Sequence, residues 1–266
     1  MHREWRRSFE PSRRLEKTIL GAMTLAILGF WVAGWVSTFM AWDTEGKRLG
    51  TDLHLYVNDA LGWADTGSFY PERQLVGPYE IETVGEILYP PPSLLLFLPF
   101  SVLPAVLWWA IPLAVIAAVI AYWRPAPFGW PVLAFILWWP RTNQDLLTGN
   151  PAIWAAAAAA LGTIWASASV LVLIKPTLAP AAIFGIRRHG WWIGMAGVCA
   201  VSLLFLPLWP EYVKTLMFAR HPHGWLYSFS ELPMALTGVV AWATSTRRAG
   251  PSPSIPVGGW SRQDKS

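Results

Sequence analysis

Uncharged apolar runs too long for a water-soluble core are what most limit the folds open to this chain. From Ile19 to Trp42 no residue carries a charge, and about eighteen such residues already mark a membrane-span candidate. In lipid only closed hydrogen-bond systems such as helices are tolerated. A second uncharged run, Ser93 to Tyr122, is interrupted by Pro99, Pro104 and Pro112. Its freed carbonyls demand protein or a cavity alongside, so it reads as a half-span plus a span, or one kinked span ending near Arg124. Phe128 to Pro140 is short for a crossing. The alanines at 155 to 160 begin a helix that neighbours can approach closely. The run from Val170 to Ile186 is broken at Lys175-Pro176-Thr177, Trp191 to Trp209 reads as a further span, and Leu232 to Ala243 as the last. The fold class expected is therefore all-α, a polytopic transmembrane helical bundle forming one membrane-embedded domain over residues 1–248. The Pro-, Ser- and Gly-rich tail, 249–266, is expected to be disordered.

Composition agrees, with 54% of residues hydrophobic and 14% charged where soluble domains carry about 25% charged residues. Arg3, Arg6, Arg7, Arg13, Arg14 and Lys17 precede the first run, and basic flanks stay in the cytoplasm. The first run is too long for a signal-peptide core, so it is expected to remain as an anchor. That places both termini in the cytoplasm, the chain in the inner membrane as a multi-pass protein, and the loop of residues 43–89 outside. The basic residues form no stripe, which argues against a nucleic-acid partner. Most of the nineteen Trp residues lie near run ends and read as interface anchors. The single Cys199 can form no intrachain disulfide.

The 43–89 loop holds nine of the sixteen acidic residues. Thr51 is placed to cap a helix of some fifteen residues lying on the membrane surface. One face of it carries Leu53, Val57, Ala60, Leu61 and Ala64, and another carries Asp52, Tyr56 and Asp59. Asp52 is the sharpest candidate for chemistry. It is a carboxylate at a helix start, where the dipole favours negative charge, and it can take a proton from an attacking hydroxyl. An ordinary helix-capping role is the alternative. Asp43-Thr44-Glu45 could hold a divalent ion but equally forms a solvated flank. With no zinc-type spacing and no Gly-rich phosphate loop, neither a metal nor a cofactor is assigned. Lys175 lies between apolar runs, where a charge is costly enough to suggest function; it could hold a lipid phosphate, or snorkel to the interface. Arg220, His221 and His223 could meet an anionic group, or belong to a plain interfacial loop.

Asp52-Leu53-His54-Leu55-Tyr56 after the first run, then Tyr89-Pro90-Pro91 opening an apolar run with Leu98-Pro99-Phe100, resembles the polyprenol-phosphate-mannose-dependent mannosyltransferases of glycosyltransferase family 87. Gly149-Asn150, Leu173-Ile174-Lys175-Pro176-Thr177 and Arg187-Arg188 follow in the same order, and the likeness covers roughly residues 15 to 210. Two departures stand out: Asn150 and Ala152 replace the Gln and Asn of the usual Gly-Gln-x-Asn turn, and the chain is shorter than a typical member.

The resemblance implies a GT-C fold with an outward cavity and Asp52 as general base. It also implies a polyprenyl-phosphate sugar donor, mannose as the sugar, inversion at the anomeric carbon, and a lipid or glycan acceptor. Lys175, Arg220, His221 and His223 are then the candidates for the donor phosphate, and Tyr56, Asp59, Tyr89 and Asn150 for substrate contacts. Two other readings stay open: a lipid-linked-sugar transporter, and a non-catalytic membrane subunit working with a partner protein.

Overall fold

The computed structural model describes residues 4–44, 49–81, 85–220 and 230–249. The described chain is almost entirely helical. Its first half runs α1 (Glu4–Thr44), α2 (Thr51–Thr66), α3 (Glu72–Val76), β1 (Tyr79–Glu80), α4 (Leu94–Phe97), α5 (Val106–Trp123), α6 (Gly129–Trp138) and α7 (Pro140–Thr148). The second half runs α8 (Ala152–Gly162), α9 (Ala179–Ala182), α10 (His189–Leu203), α11 (Trp209–Phe218), β2 (Ala219–Arg220), α12 (Leu232–Ala235) and α13 (Thr237–Ala243). Tighter 3₁₀ turns fill Pro91–Ser93, Leu98–Ser101, Ala166–Ile174 and Pro176–Leu178. The one β pair among the described residues is parallel, with Tyr79 opposite Ala219 and Glu80 opposite Arg220.

Among the described residues two helical stretches are long and apolar enough to cross a membrane, Arg13–Thr38 within α1 and the whole of α5. A third is the pair His189–Leu203 and Leu206–Phe218, bent by 81°. The helix expected to run from Trp191 to Trp209 therefore stops at Leu203 and turns a corner into α11. Pro207 and Pro210 are the cause, since each removes a backbone donor and clashes with the preceding turn. No part of the apolar window in α1 is buried within the protein, and Leu25 and Phe30 are more than two-thirds exposed. That surface makes membrane association the natural environment of the chain.

The centre of the bundle is α8. Ala152, Ala155, Ala156, Ala159 and Ala160 are all buried, and the helix packs on the 166–174 segment, α5, α12 and α13. A Cβ added at Gly238 would run into the backbone of Ala160, and one at Gly162 would lie 2.9 Å from the Ser169 Cα. Small residues on both sides thus bring the backbones together, as the alanine run predicts.

Several tryptophans are structural struts instead of interface anchors. Trp108 is fully buried and Trp191 nearly so. The Nε1 groups of Trp31 and Trp35 both donate to Asn143 Oδ1 at 2.7 Å, tying α1 to α7. An indole withdrawn from water favours a partner for its one donor, and these two find it on another helix.

In α2 the buried residues are Leu53, Tyr56 and Ala60, whereas Leu61 and Ala64 are exposed. The expected apolar face is rotated because aromatic partners, Tyr89 at 4.8 Å and Phe97 at 5.2 Å between ring centroids, draw Tyr56 inward. Nor does Thr51 cap the helix. The N-cap is Gly50, at φ 78°, with no side-chain cap bond.

Candidate functional site

Two left-handed glycines and two indoles place the polar groups. Gly149, at φ 71°, ends α7. A Cβ there would stand 3.0 Å from the Trp109 ring and 3.2 Å from the Leu53 Cβ, so the position admits only glycine comfortably. Trp108 Nε1 donates to Gly149 O at 2.8 Å and Trp109 Nε1 to Leu146 O at 2.7 Å, satisfying carbonyls that the helix end leaves free. The Gly50 N–H donates to Leu147 O at 2.9 Å. Three elements, α2, α5 and α7, are thereby joined at one point, and Asp52 at the start of α2 faces the 148–150 turn.

Asp52 is half-buried. Its Oδ2 accepts from Thr148 Oγ1 at 3.0 Å and from Asn150 Nδ2 at 2.8 Å. The amide oxygen of Asn150 accepts in turn from Lys175 Nζ at 2.6 Å, the Ala152 N–H at 3.0 Å and Tyr89 OH at 3.4 Å. Both Lys175 and the Ala152 amide can only donate, so they fix the orientation of the Asn150 side chain and leave its NH₂ for Asp52. Asp52 is thus held through one oxygen, and Oδ1 makes no hydrogen bond among the described residues.

Lys175 is 4% exposed. Besides Asn150 it meets Glu231 Oε1 at 3.0 Å and Tyr89 OH at 3.5 Å. Its charge is directed inward, onto these three side chains. Arg141 also reaches Glu231 Oε1, at 2.6 Å, and lies 3.3 Å from Asp145 Oδ1 through Nε. Burial alone would raise the Glu231 carboxyl, but Lys175 and Arg141 outweigh it and hold the group below the usual carboxylate range.

Asp145 behaves oppositely. It is 1% exposed and neither carboxylate oxygen has a hydrogen-bond donor. Burial pushes it up to about 7, against the pull of Lys175 and then Arg141, with Glu231 and Asp52 adding to the rise. The ion-pair distance to Arg141 would suggest a fully ionised partner. Burial wins because the guanidinium is committed to Glu231 and its Nε contact lacks hydrogen-bond geometry.

That carboxyl gives a pH-dependent stability of defined sign. Between the ordinary aspartate value of about 4 and the folded value near 7 the folded protein holds a proton that the unfolded chain has lost. Stability from Asp145 is therefore full at the acid end and falls as pH rises through that window. Thermal unfolding of Asp145→Asn in detergent should show a weaker decline from pH 5 to 8 than the parent, and a higher midpoint at pH 8. An unchanged slope would mean that Asp145 is ionised throughout.

Of the other residues singled out in the sequence, Tyr89 and Tyr56 line the same cluster, and burial, followed by the nearby Tyr89 and Asp52, holds the Tyr56 phenol well above its ordinary value. Asp59 lies outside the cluster; it is half-buried, with Oδ2 lacking a donor, and burial pushes it up to about 6. Arg220 is exposed on β2. His221, His223, Glu45 and the Asp43 side chain fall outside the described residues. Among those described, no group of three or more His, Cys, Asp or Glu residues could hold a metal.

Thr148, Arg141, Asp145 and Glu231 were not singled out in the sequence. Their one signal is charge or polarity embedded between apolar runs, with Arg141 and Asp145 four apart on one helical face. No family model matches the chain, and no curated protein or solved structure is similar to it.

Proposed function

We propose that the protein is an integral-membrane glycosyltransferase that moves a sugar, mannose by the family resemblance, from a polyprenyl phosphate to an acceptor hydroxyl outside the cytoplasm. The observation that carries this reading is the setting of Asp52: a carboxylate held through Oδ2 by Thr148 and Asn150, with Oδ1 left for a substrate hydroxyl. Asp52 removes the hydroxyl proton as that oxygen forms a bond to the anomeric carbon. The bond from that carbon to the phosphate oxygen breaks, and polyprenyl phosphate leaves as the anion.

The reading depends on a polytopic, GT-C-like arrangement. Its support is the placement of charge along the bundle. Asn150 precedes α8 and Lys175 follows the 166–174 segment. Arg124 ends α5, about 23 Å at 1.5 Å per residue from the Trp108 and Trp109 turn. Gly185, just before Arg187 and Arg188, packs on Ala166 at the far end of that segment. Arg124, Arg187 and Arg188 thus lie toward the end opposite Asp52, which favours an outward-facing Asp52. Lys175 acts through Asn150 in this scheme, and Arg220, His221 and His223 remain the cations offered to the leaving phosphate.

The deciding experiment is transfer of radiolabelled mannose from polyprenyl phosphate mannose in membranes containing the chain, compared with membranes lacking it; no transfer to any lipid or glycan fraction would rule the reading out. Orientation has its own test. A cysteine at Ser68, in the exposed turn after α2, should react with an impermeant thiol reagent in intact cells, and one at Ser252 should react only after lysis. Labelling at 252 but not at 68 would invert the topology.

A further inference from the structure

At the opposite end of the bundle from Asp52, a groove of about 500 Å³ opens between the 180–188 segment and the α12–α13 corner. Its walls are apolar, with Ile183, Phe184, Leu236 and Val239 among them, and Arg187 and Arg188 stand at its edge. The volume falls within the range of about 300–1,000 Å³ typical of small-molecule sites. Phe184 is fixed edge-on against Trp242 at 5.0 Å between ring centroids, so one wall is rigid. Ile183 is 58% exposed, an apolar side chain presented at the mouth of the groove. Both arginines are exposed, and among the described residues their side chains enter no ion pair.

Two exposed guanidinium groups beside an open apolar groove fit a molecule that is anionic at one end and hydrocarbon at the other. A guanidinium is suited to bidentate contact with phosphate oxygens, and basic pockets between membrane helices on the cytoplasmic side take anionic headgroups. We infer that this groove binds an anionic phospholipid of the surrounding bilayer, its phosphodiester on Arg187 and Arg188 and an acyl chain along Ile183, Phe184 and Leu236. The other arginines at this end are placed differently. Arg247 lies over the Tyr122 ring at 4.2 Å, and Arg13 and Arg14, on α1, are not among the residues that line the groove. The lipid site stands independently of the transfer reaction, since nothing in it involves Asp52 or Lys175.

Native mass spectrometry of the full chain, released from detergent after titration with phosphatidylglycerol or with phosphatidylcholine of the same acyl chains, tests the site. Phosphatidylglycerol should be retained in preference. The R187Q/R188Q variant should bind it on the order of twentyfold more weakly, from the attraction expected of two basic side chains at a lipid headgroup, while R13Q/R14Q should bind as the parent does. Ile183→Trp, which fills the groove and leaves the charge alone, should also lose retention. Equal retention of the two lipids, an equal loss in R13Q/R14Q, or unchanged retention in Ile183→Trp would each overturn the assignment, whatever the transfer assay shows.

Discussion

Replacing Asp52 by Asn should lower sugar transfer by about 10²- to 10⁴-fold, the usual cost of losing a general base, while leaving the protein folded. The amide keeps one carbonyl oxygen to accept from Thr148 and Asn150, the two donors that Asp52 Oδ2 satisfies, and loses only the ability to take a proton. Asp59→Asn is the matched control. Asp59 lies on the same helix seven residues on, half-buried in the same way, but no hydrogen bond ties it to the cluster. Its replacement should change transfer by a few-fold at most. Rates are to be compared at equal amounts of membrane-inserted protein. Transfer by Asp52→Asn at the parent rate would refute the proposed mechanism.

The largest effect on stability should come from Lys175→Met. Removing one member of a buried ion pair leaves its partner uncompensated and costs about 3–5 kcal/mol. Here the partner is Glu231, 1% exposed, which would keep only Arg141 at 2.6 Å. The amide oxygen of Asn150 would lose its shortest donor as well. Adding Glu231→Gln to Lys175→Met should recover part of the loss, because the stranded charge is then gone. Trp fluorescence during thermal unfolding in detergent would follow both variants. A Lys175→Met protein as stable as the parent would show that the ammonium is not held by Glu231 and would return Lys175 to the role of a phosphate ligand.

The contrast between Lys175 as read from sequence and as folded shows what linear order conceals. A lysine between apolar runs announces that its charge needs a partner. Which partner depends on chain segments 25 and 56 residues away, those of Asn150 and Glu231, and no local pattern encodes that meeting. The helical class was legible because uncharged runs and small-residue stretches act locally. The position of Asp52 was legible because it stands at a helix start just beyond the first apolar run. The face of α2 was misread because ring contacts to Tyr89 and Phe97 outweighed the aliphatic stripe on which helical periodicity rests. The bend between α10 and α11 could have been foreseen from Pro207 and Pro210. The role of Trp108 and Trp109 could not, since an indole near a run end looks the same whether it meets lipid headgroups or the carbonyls of another helix.

The distance along the chain between Lys175 and Glu231 also bears on how the protein is made. Glu231 is synthesised 56 residues after the lysine it pairs with, a delay of roughly 3–11 s at about 5–20 residues per second. Throughout that interval the ammonium has no carboxylate at Glu231 to meet, and an apolar interior disfavours it. Until Glu231 is made, the 166–178 segment can pack on α8 with its ammonium held only by groups such as Asn150 and Tyr89, so the charge at the centre of the bundle is neutralised by Glu231 only once the C-terminal end of the chain is in place.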